Sequence, residues 1–339
     1  MALGPTTSAV VDPVLNEWYT GVSLMRALPQ LNHARFAQRP INFPQKSGKR
    51  ALFRRYESLP VAKAPLVEMT TPSPVQMTKT DLYADLVQYG SYVKYSDIVD
   101  YTTQDPFITE RMAVVGEQAG ESLDEAQRDQ LLATTSEYLA GAVAARGDIV
   151  TKALGSDFDK IARVLHNARA KFIDDETIKA STGVGTGPIR PCFYVLVHPD
   201  VAYDIDNTTN FPGFKYPSEY ADGGKSALPS EIGAYKNFRF LMSDKESILI
   251  DSGGAVGVTG LKSTGASYVD VYQCLIFARD AYGVVQLSGK SYQTYVTRVD
   301  VADKADPLGQ YGTIGWKAMT TLVLLNETFM LRYECGATA

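Results

Sequence analysis

Residues 46–75 read KSGKRALFRRYESLPVAKAPLVEMTTPSPV, a basic turn followed by an extended run and a series of prolines. Gly48 suits the turn because glycine adopts positive φ at little cost. Prolines at this density exclude a helix and the centre of a sheet, since proline cannot donate to either hydrogen-bond ladder. An isolated hairpin is marginally stable in water, and apolar residues such as Phe53, Leu59 and Val67 still need burial. The segment therefore predicts a long hairpin, here named the extended loop, that packs on another subunit.

The start of this loop carries the one basic cluster of the sequence, interleaved with aromatic residues. A basic and aromatic pattern is also typical of proteins that bind single-stranded nucleic acid, which stays open as an alternative. The cluster lies on a proline-rich excursion in an acidic chain, which favours contact with an acidic face of a neighbouring subunit. The residues predicted to make this contact are Lys49, Arg50, Phe53, Arg54, Arg55 and Tyr56.

The residues on either side of the loop indicate an α+β protein. Residues 1–45 contain five prolines and many apolar residues, which is typical of an arm that lies on other structure. Downstream, Asp105 and Pro106 suit a helix start, and apolar residues then recur at spacings of three and four with glutamates opposite. This helix is expected to run about 30 residues, or roughly 45 Å. A second helix is predicted over 156–173. Strands are predicted within 75–95 and over 193–197, 269–278, 292–301 and 320–335.

Composition excludes several classes of protein. The net charge is −5, whereas a protein that grips nucleic acid over a broad surface is usually basic. The three cysteines are too few and too widely spaced for a disulfide framework, so buried free thiols are expected. We see no secretory signal and no apolar run long enough to span a bilayer, which predicts a soluble protein made in a cytoplasm and without a membrane partner.

The patterns that could support catalysis fail on inspection. Five residues separate Gly283 from Gly289, where a phosphate-binding loop has four, and the intervening residues read as buried structure. His33, His166 and His198 have no sequence partner for zinc or for a nucleophile. The sequence therefore predicts no catalytic, cofactor-binding or metal-binding residue. A nucleotide-using enzyme built on Gly283 to Ser291 stays the disfavoured alternative.

Several short segments, spread along the chain in a constant order, resemble the major capsid proteins of tailed phages, and most closely the coat proteins of certain podophages. Each segment alone is a weak indicator, and together they are fairly specific. They are 33–40, 54–60, 88–93, 116–120, 230–233, 238–240, 306–310 and 315–317.

The resemblance implies the HK97-like capsid fold and a layout of parts. It places an N-terminal arm at 1–45 and the extended loop at 46–75. A peripheral domain with a long spine helix follows at 76–155, then an axial domain at 156–289. The C-terminal strands at 290–339 would complete the peripheral domain.

The resemblance also implies a function. The chain would be a structural protein and not an enzyme, forming hexamers and pentamers of an icosahedral shell around double-stranded DNA held without sequence specificity. Scaffolding, decoration and portal proteins would be further partners, and the shell would assemble in the host cytoplasm and become part of the virion. Two alternatives stay open at this point: a shell like the encapsulins that encloses cargo proteins, and a nucleic-acid-binding accessory protein.

Overall fold

A five-stranded and a seven-stranded β-sheet joined by a long helix, together with a two-stranded hairpin, make up the described part of the chain. The structure is a computed structural model that describes residues 32–37, 41–57, 59–63, 65, 68–69, 71, 73–102, 107–173, 190–206, 209–220, 227–257, 260–301 and 306–339. Its helices are α1 Asn32–Arg35, α2 Asp97–Thr102, α3 Phe107–Leu132, α4 Gly155–Asn167 and α5 Pro199–Ile205. Its strands are β1 Ile41–Phe43, β2 Arg50–Tyr56, β3 Lys79–Asp85, β4 Val87–Ser96, β5 Glu137–Leu139, β6 Phe193–Val197, β7 Glu231–Tyr235, β8 Phe238–Met242, β9 Ile248–Leu249, β10 Val271–Phe277, β11 Tyr282–Leu287, β12 Gln293–Thr297, β13 Tyr311–Leu324 and β14 Met330–Cys335.

The five-stranded sheet is organised around β13, which pairs with β4, β11 and β12, while β1 lies beside β11. Successive side chains of a strand point to opposite faces, so one face of β13 presents Ile314, Trp316 and Ala318. These residues are buried against Met112 and Val115 of α3. The apolar stripe of α3, at helical spacing, thus has its partner in this sheet. The other face of the sheet is left for other contacts.

The seven-stranded sheet has the order β5-β14-β10-β6-β8-β7, with β9 paired to β10. Every residue of β6 and β10 is buried, as expected where both faces of a strand are covered. Helix α4 packs on this sheet through Phe158, whose ring centroid lies 5.1 Å from those of Phe240 and Tyr333. The predicted helix over 156–173 and the strands near 193 and 271 are confirmed, although the helix ends at Asn167.

The chain passes between the two sheets at places that differ from the predicted boundaries. Strand β14, predicted with the peripheral strands of 290–339, pairs with β10 in the seven-stranded sheet, and β5 lies beside it. Strand β11, predicted within the axial segment 156–289, pairs with β13 in the five-stranded sheet. Hydrophobic alternation identifies a strand but does not specify which distant strand it pairs with, so these pairings could not be predicted from sequence order.

The extended loop is longer than predicted. Its two strands are β2 and β3, paired from Arg50↔Asp85 to Tyr56↔Lys79, so the second strand begins after residue 75. The connection over 57–78 contains the four prolines, which cannot donate to a strand ladder. The loop therefore runs over 46–85, and its proline-rich part is the tip.

The long helix is confirmed as α3, with 26 residues. Its predicted start at Asp105 and Pro106 lies outside the described residues, as do residues 1–31 of the arm. Cys192, Cys274 and Cys335 are buried free thiols, as predicted. Gly283 to Leu287 belong to β11 and are mostly buried, which agrees with their interpretation as buried structure.

Candidate assembly surfaces and the arm anchor

The outward face of the β2–β3 hairpin is a ladder of cross-strand pairs. Arg50 Nε donates to Asp85 Oδ1 at 2.8 Å, and Arg54 Nε donates to Asp81 Oδ1 at 2.8 Å. Between these ion pairs, Leu52 lies opposite Tyr83, and both are exposed. The Arg50 guanidinium also lies 5.3 Å from the centre of the Tyr83 ring.

The two arginines on this face therefore have partners within their own subunit. Their hydrogen bonds lower the pKa of Asp81 and of Asp85, so both carboxylates stay ionised at neutral pH. The prediction that Arg50 and Arg54 seek an acidic neighbour overlooked these aspartates, which lie outside the predicted loop boundary. The signal was present in the sequence: two arginines and two aspartates, each pair four residues apart, can pair across antiparallel strands.

The inward face of the hairpin base has its own small core. Ala51 and Phe53 of β2 pack with Ala84 and Leu86, and against Val285 of β11. Phe53 is only 7% exposed, so it is buried in its own subunit and is not available to a neighbour. The assumption that the loop lacks any local core is therefore wrong for its base.

A second contact fixes the hairpin to the body of the subunit. Arg55 Nη1 donates to the carbonyl oxygen of Leu325 at 3.1 Å. The same guanidinium pairs with Glu57, which also accepts from the Thr80 hydroxyl at 3.0 Å. These hydrogen bonds lower the pKa of Glu57. Arg55 thus acts within the subunit, as do Arg50 and Arg54.

The loop tip differs from the base, because its apolar side chains are exposed. Met69 is fully exposed to solvent. Other exposed apolar residues beyond β2 are Leu59, Val61, Val75 and Met77, and Tyr56 at the end of β2 is 60% exposed. A concentration of exposed apolar residues marks a protein contact surface. Of the six residues predicted to contact a neighbour, Lys49 and Tyr56 have exposed side chains and no ion pair in the described part of the chain.

A second open surface lies on the five-stranded sheet, on the face opposite α3. Tyr92 and Tyr295 flank Gly315, at which a Cβ atom would lie 2.7 Å from the Cβ of Tyr92. Only glycine therefore allows this tyrosine pair to lie close to the sheet. We name this surface the tyrosine face. Two shallow grooves border it. Among the residues that the structure describes, those lining the grooves include Lys46, Lys290 and Lys317 and no acidic residue.

The arm is anchored by a buried histidine that sequence analysis placed in no cluster. His33 Nδ1 lies 2.9 Å from Asp124 Oδ2, and its Nε2 lies 3.0 Å from Glu246 Oε1, with all three side chains fully buried. The His33 backbone N–H donates to Asp124 Oδ1, and the Tyr282 hydroxyl donates to the His33 carbonyl oxygen. The three acceptors and donors come from positions more than 90 residues away, so no local pattern could reveal the cluster.

The charge of this histidine follows from its surroundings. Burial by itself would lower the pKa of His33, but the carboxylates of Glu246 and Asp124 outweigh burial and raise the pKa to about 10. Because the folded-state pKa lies above the ordinary 6.5, the pairing stabilises the fold fully below that pH. The stabilisation is lost as the pH rises through about 10.

Among the described residues, no group of three or more histidine, cysteine or acidic side chains could hold a metal ion. Within the same part of the chain, no helix is both long enough and apolar enough to cross a membrane.

The fold defines the class of protein. The chain is similar to the capsid structure of cyanophage P-SCSP1u, with 14% identity, a TM-score of 0.56, and coverage of 88% of this chain and 86% of that one. It is also similar to the capsid of Ralstonia phage GP4, with 10% identity, a TM-score of 0.58, and coverage of 88% and 87%. The head structure of Helicobacter pylori bacteriophage KHP40 gives 11% identity, a TM-score of 0.58, and coverage of 89% and 88%. The architecture is the HK97-like capsid fold.

The sequence gives the family directly. The model of the phage capsid protein family matches residues 79–325, and the chain belongs to that family. It is a major capsid protein that forms the phage shell, with a structural role and a place in the virion. No curated protein sequence matches the chain.

Proposed function

We propose that copies of this chain form hexamers and pentamers that close into an icosahedral shell, with the extended loop of each subunit lying over the next. The observation that carries this proposal is the contrast within the loop. Its base is fixed by a local core and by Arg55, while its tip presents Met69 and other apolar residues to solvent. Contacts that repeat from copy to copy, each of modest strength, add up to a stable closed shell.

The proposed domain layout follows the two sheets. Residues 1–45 form the N-terminal arm and residues 46–85 the extended loop. The five-stranded sheet with α3 forms the peripheral domain. The seven-stranded sheet with α4 and α5 forms the axial domain, which packs around the five-fold and six-fold vertices.

We assign the tyrosine face as the surface that receives the neighbouring loop. Tyrosine combines a large apolar ring with a hydroxyl and is enriched at protein interfaces. Helix α3 covers the opposite side of the sheet and leaves this face open. Its described lining lacks carboxylates, so it does not repel the acidic residues of an approaching subunit.

The double substitution Tyr92→Ser and Tyr295→Ser is expected to raise the protein concentration needed for shell formation by about tenfold or more, because interface tyrosines are frequent hot spots. Both side chains are about half exposed or more, so the subunit should fold normally. The measurement is light scattering across a concentration series, with circular dichroism to check folding. Tyr203→Ser on α5 is the matched control, since Tyr203 is 74% exposed and lies far from the tyrosine face in the fold. Unchanged assembly of the double variant would reject this surface.

We propose that the shell encloses double-stranded DNA without sequence specificity and without gripping it tightly. The side of α3 away from the sheet carries Glu110, Glu117 and Glu125, while Glu121 and Asp129 pair with Lys245 and Arg128. An acidic surface of this kind repels DNA phosphates. Scaffolding, decoration and portal proteins are further proposed partners, assembly is proposed to occur in the host cytoplasm, and no enzymatic activity is proposed.

The purified subunit is expected to bind neither single-stranded nor double-stranded DNA with high affinity. The arginines of the basic cluster are paired with Asp81, Asp85 and Glu57, which leaves little free positive charge for phosphates. Filter binding at about 50 mM and 200 mM salt measures this, because a phosphate-binding protein loses affinity steeply over that range. Tight binding that weakens strongly with salt would favour the nucleic-acid-binding alternative instead.

A further inference from the structure

The anchor around His33 lies where the two sheets of the subunit meet. Asp124 belongs to α3, which packs on the five-stranded sheet. Glu246 lies in the turn that follows β8 of the seven-stranded sheet. Tyr282 begins β11, at the point where the chain enters the five-stranded sheet. The imidazole of His33 is thus in contact with both halves of the molecule at once.

Polar contacts of charged side chains also join α3 to the turn that follows β8. Lys245 Nζ lies 2.9 Å from Glu121 of α3, and Arg128 of α3 donates to the carbonyl oxygen of Lys245. These two contacts lie partly exposed at the edge of the junction. Asp124 and Glu246 lie in its buried interior, with the arm's histidine between them.

Among the described residues, the arm therefore supplies the one positive charge that the two buried carboxylates share. Without it, Asp124 and Glu246 would face each other across the junction in a medium of low dielectric constant. Two like charges in such a place cannot both stay ionised without a large cost, so one would take up a proton or the two elements would separate. Phe36 adds an apolar contact on the same segment, with its ring 5.1 Å from that of Tyr194.

We propose that arm residues 32–37 act as a removable pin, and that seating His33 between Asp124 and Glu246 locks the junction between the two sheets. When a partner displaces the arm, the two sheets then become free to change their relative orientation. The groups with charge or a titratable proton that face His33 in the described structure are Asp124 from α3, Glu246 from the turn and Tyr282 from β11. The pin acts within one subunit, so it stands or falls independently of the proposed loop contact.

The test compares His33→Gln with the wild type by hydrogen exchange of the full-length subunit. At pH 7.5 we expect amide protection in the second half of α3 and in residues 243–247 to fall by roughly 100-fold, as for a broken buried ion pair. Protection in β6 and β10, at the centre of the seven-stranded sheet, should stay unchanged.

Two controls separate charge from packing. Adding Asp124→Asn and Glu246→Gln to His33→Gln should restore protection at pH 7.5, because the repulsion is gone. His166→Gln, at an exposed histidine on α4, should leave the junction unchanged. A loss of protection that the two neutral substitutions fail to restore, or that spreads evenly over both sheets, would overturn the proposal.

A measurement on the wild type keeps the proposal testable if His33→Gln does not fold. The chain has three histidines, so their ring carbon signals can be assigned and followed by NMR. We expect His33 to stay an imidazolium up to about pH 9, while His198, whose pKa is lowered mainly by burial, becomes neutral near or below pH 6.5. A neutral His33 at pH 8 would refute the pin.

Discussion

A subunit in which residues 58–77 are replaced by Asn-Gly is expected to fold and yet to form no shells. The backbone N–H of Glu57 donates to the carbonyl oxygen of Thr78 at 3.1 Å, so the two strands are already in position for a two-residue turn. Asn-Gly is the preferred sequence for such a turn. The base core of Ala51, Phe53 and Val285 is kept, so the melting temperature should change by no more than about 3 °C.

The readouts are negative-stain electron microscopy and sedimentation, with circular dichroism for folding. A matched pair of full-length variants separates loop length from loop chemistry. Serine at Leu59, Val61, Met69, Val75 and Met77 should also prevent assembly, because these exposed side chains are the proposed contact. Serine at the charged tip residues Lys63 and Glu68 should leave assembly nearly unchanged. Shells of normal size from the shortened protein would show that the loop is dispensable.

The substitution Arg239→Met is expected to lower the free energy of unfolding by about 3–5 kcal/mol, the usual cost of leaving a buried charge without its partner. Arg239 binds Glu231 through two hydrogen bonds of 2.8 and 2.6 Å, and the two side chains are 3% and 0% exposed. Glu231 also accepts from the hydroxyl of Tyr220 and from the backbone N–H of Leu228. The pair therefore ties β7 and β8 to the preceding loop.

Urea unfolding monitored by fluorescence measures the effect. Adding Glu231→Gln to Arg239→Met should recover part of the loss, because the glutamine is neutral, its carbonyl oxygen can accept from the Leu228 N–H and its amide NH2 can donate to the Tyr220 hydroxyl. Lys236→Met is the surface control. Its partner Asp159 is 45% exposed, so the cost should stay below about 1 kcal/mol. A loss of less than about 1 kcal/mol for Arg239→Met would mean that the pair contributes little.

Local patterns in the sequence predicted the local structure well. The periodicity of α3 and the apolar runs of β6 and β10 are strong signals because each reflects the burial of a single element, on one side for α3 and on both faces for the strands. The resemblance supplied the fold itself, which periodicity alone could not. Strand partners were predicted poorly, since β10 pairs with β14 more than 50 residues away.

The candidate surfaces likewise combine features that the local sequence predicts with features that depend on distant residues. The exposed tip of the extended loop follows from its prolines, which is a local property. The burial of Phe53 depends on Val285, and the pairing of Arg54 depends on Asp81, so neither could be derived from residues 46–75 alone. The His33 cluster is the extreme case, because its members come together only when the arm, α3 and the turn after β8 are all in place.

The attachment of Arg55 has a mechanical consequence. Leu325, whose carbonyl oxygen it holds, lies just after β13 leaves one sheet and just before β14 enters the other. Tension applied to the tip of the loop therefore arrives at one of the covalent links between the two sheets. A force exerted by a neighbouring molecule is therefore shared between the hydrogen bonds of the two sheets, and neither sheet carries it alone.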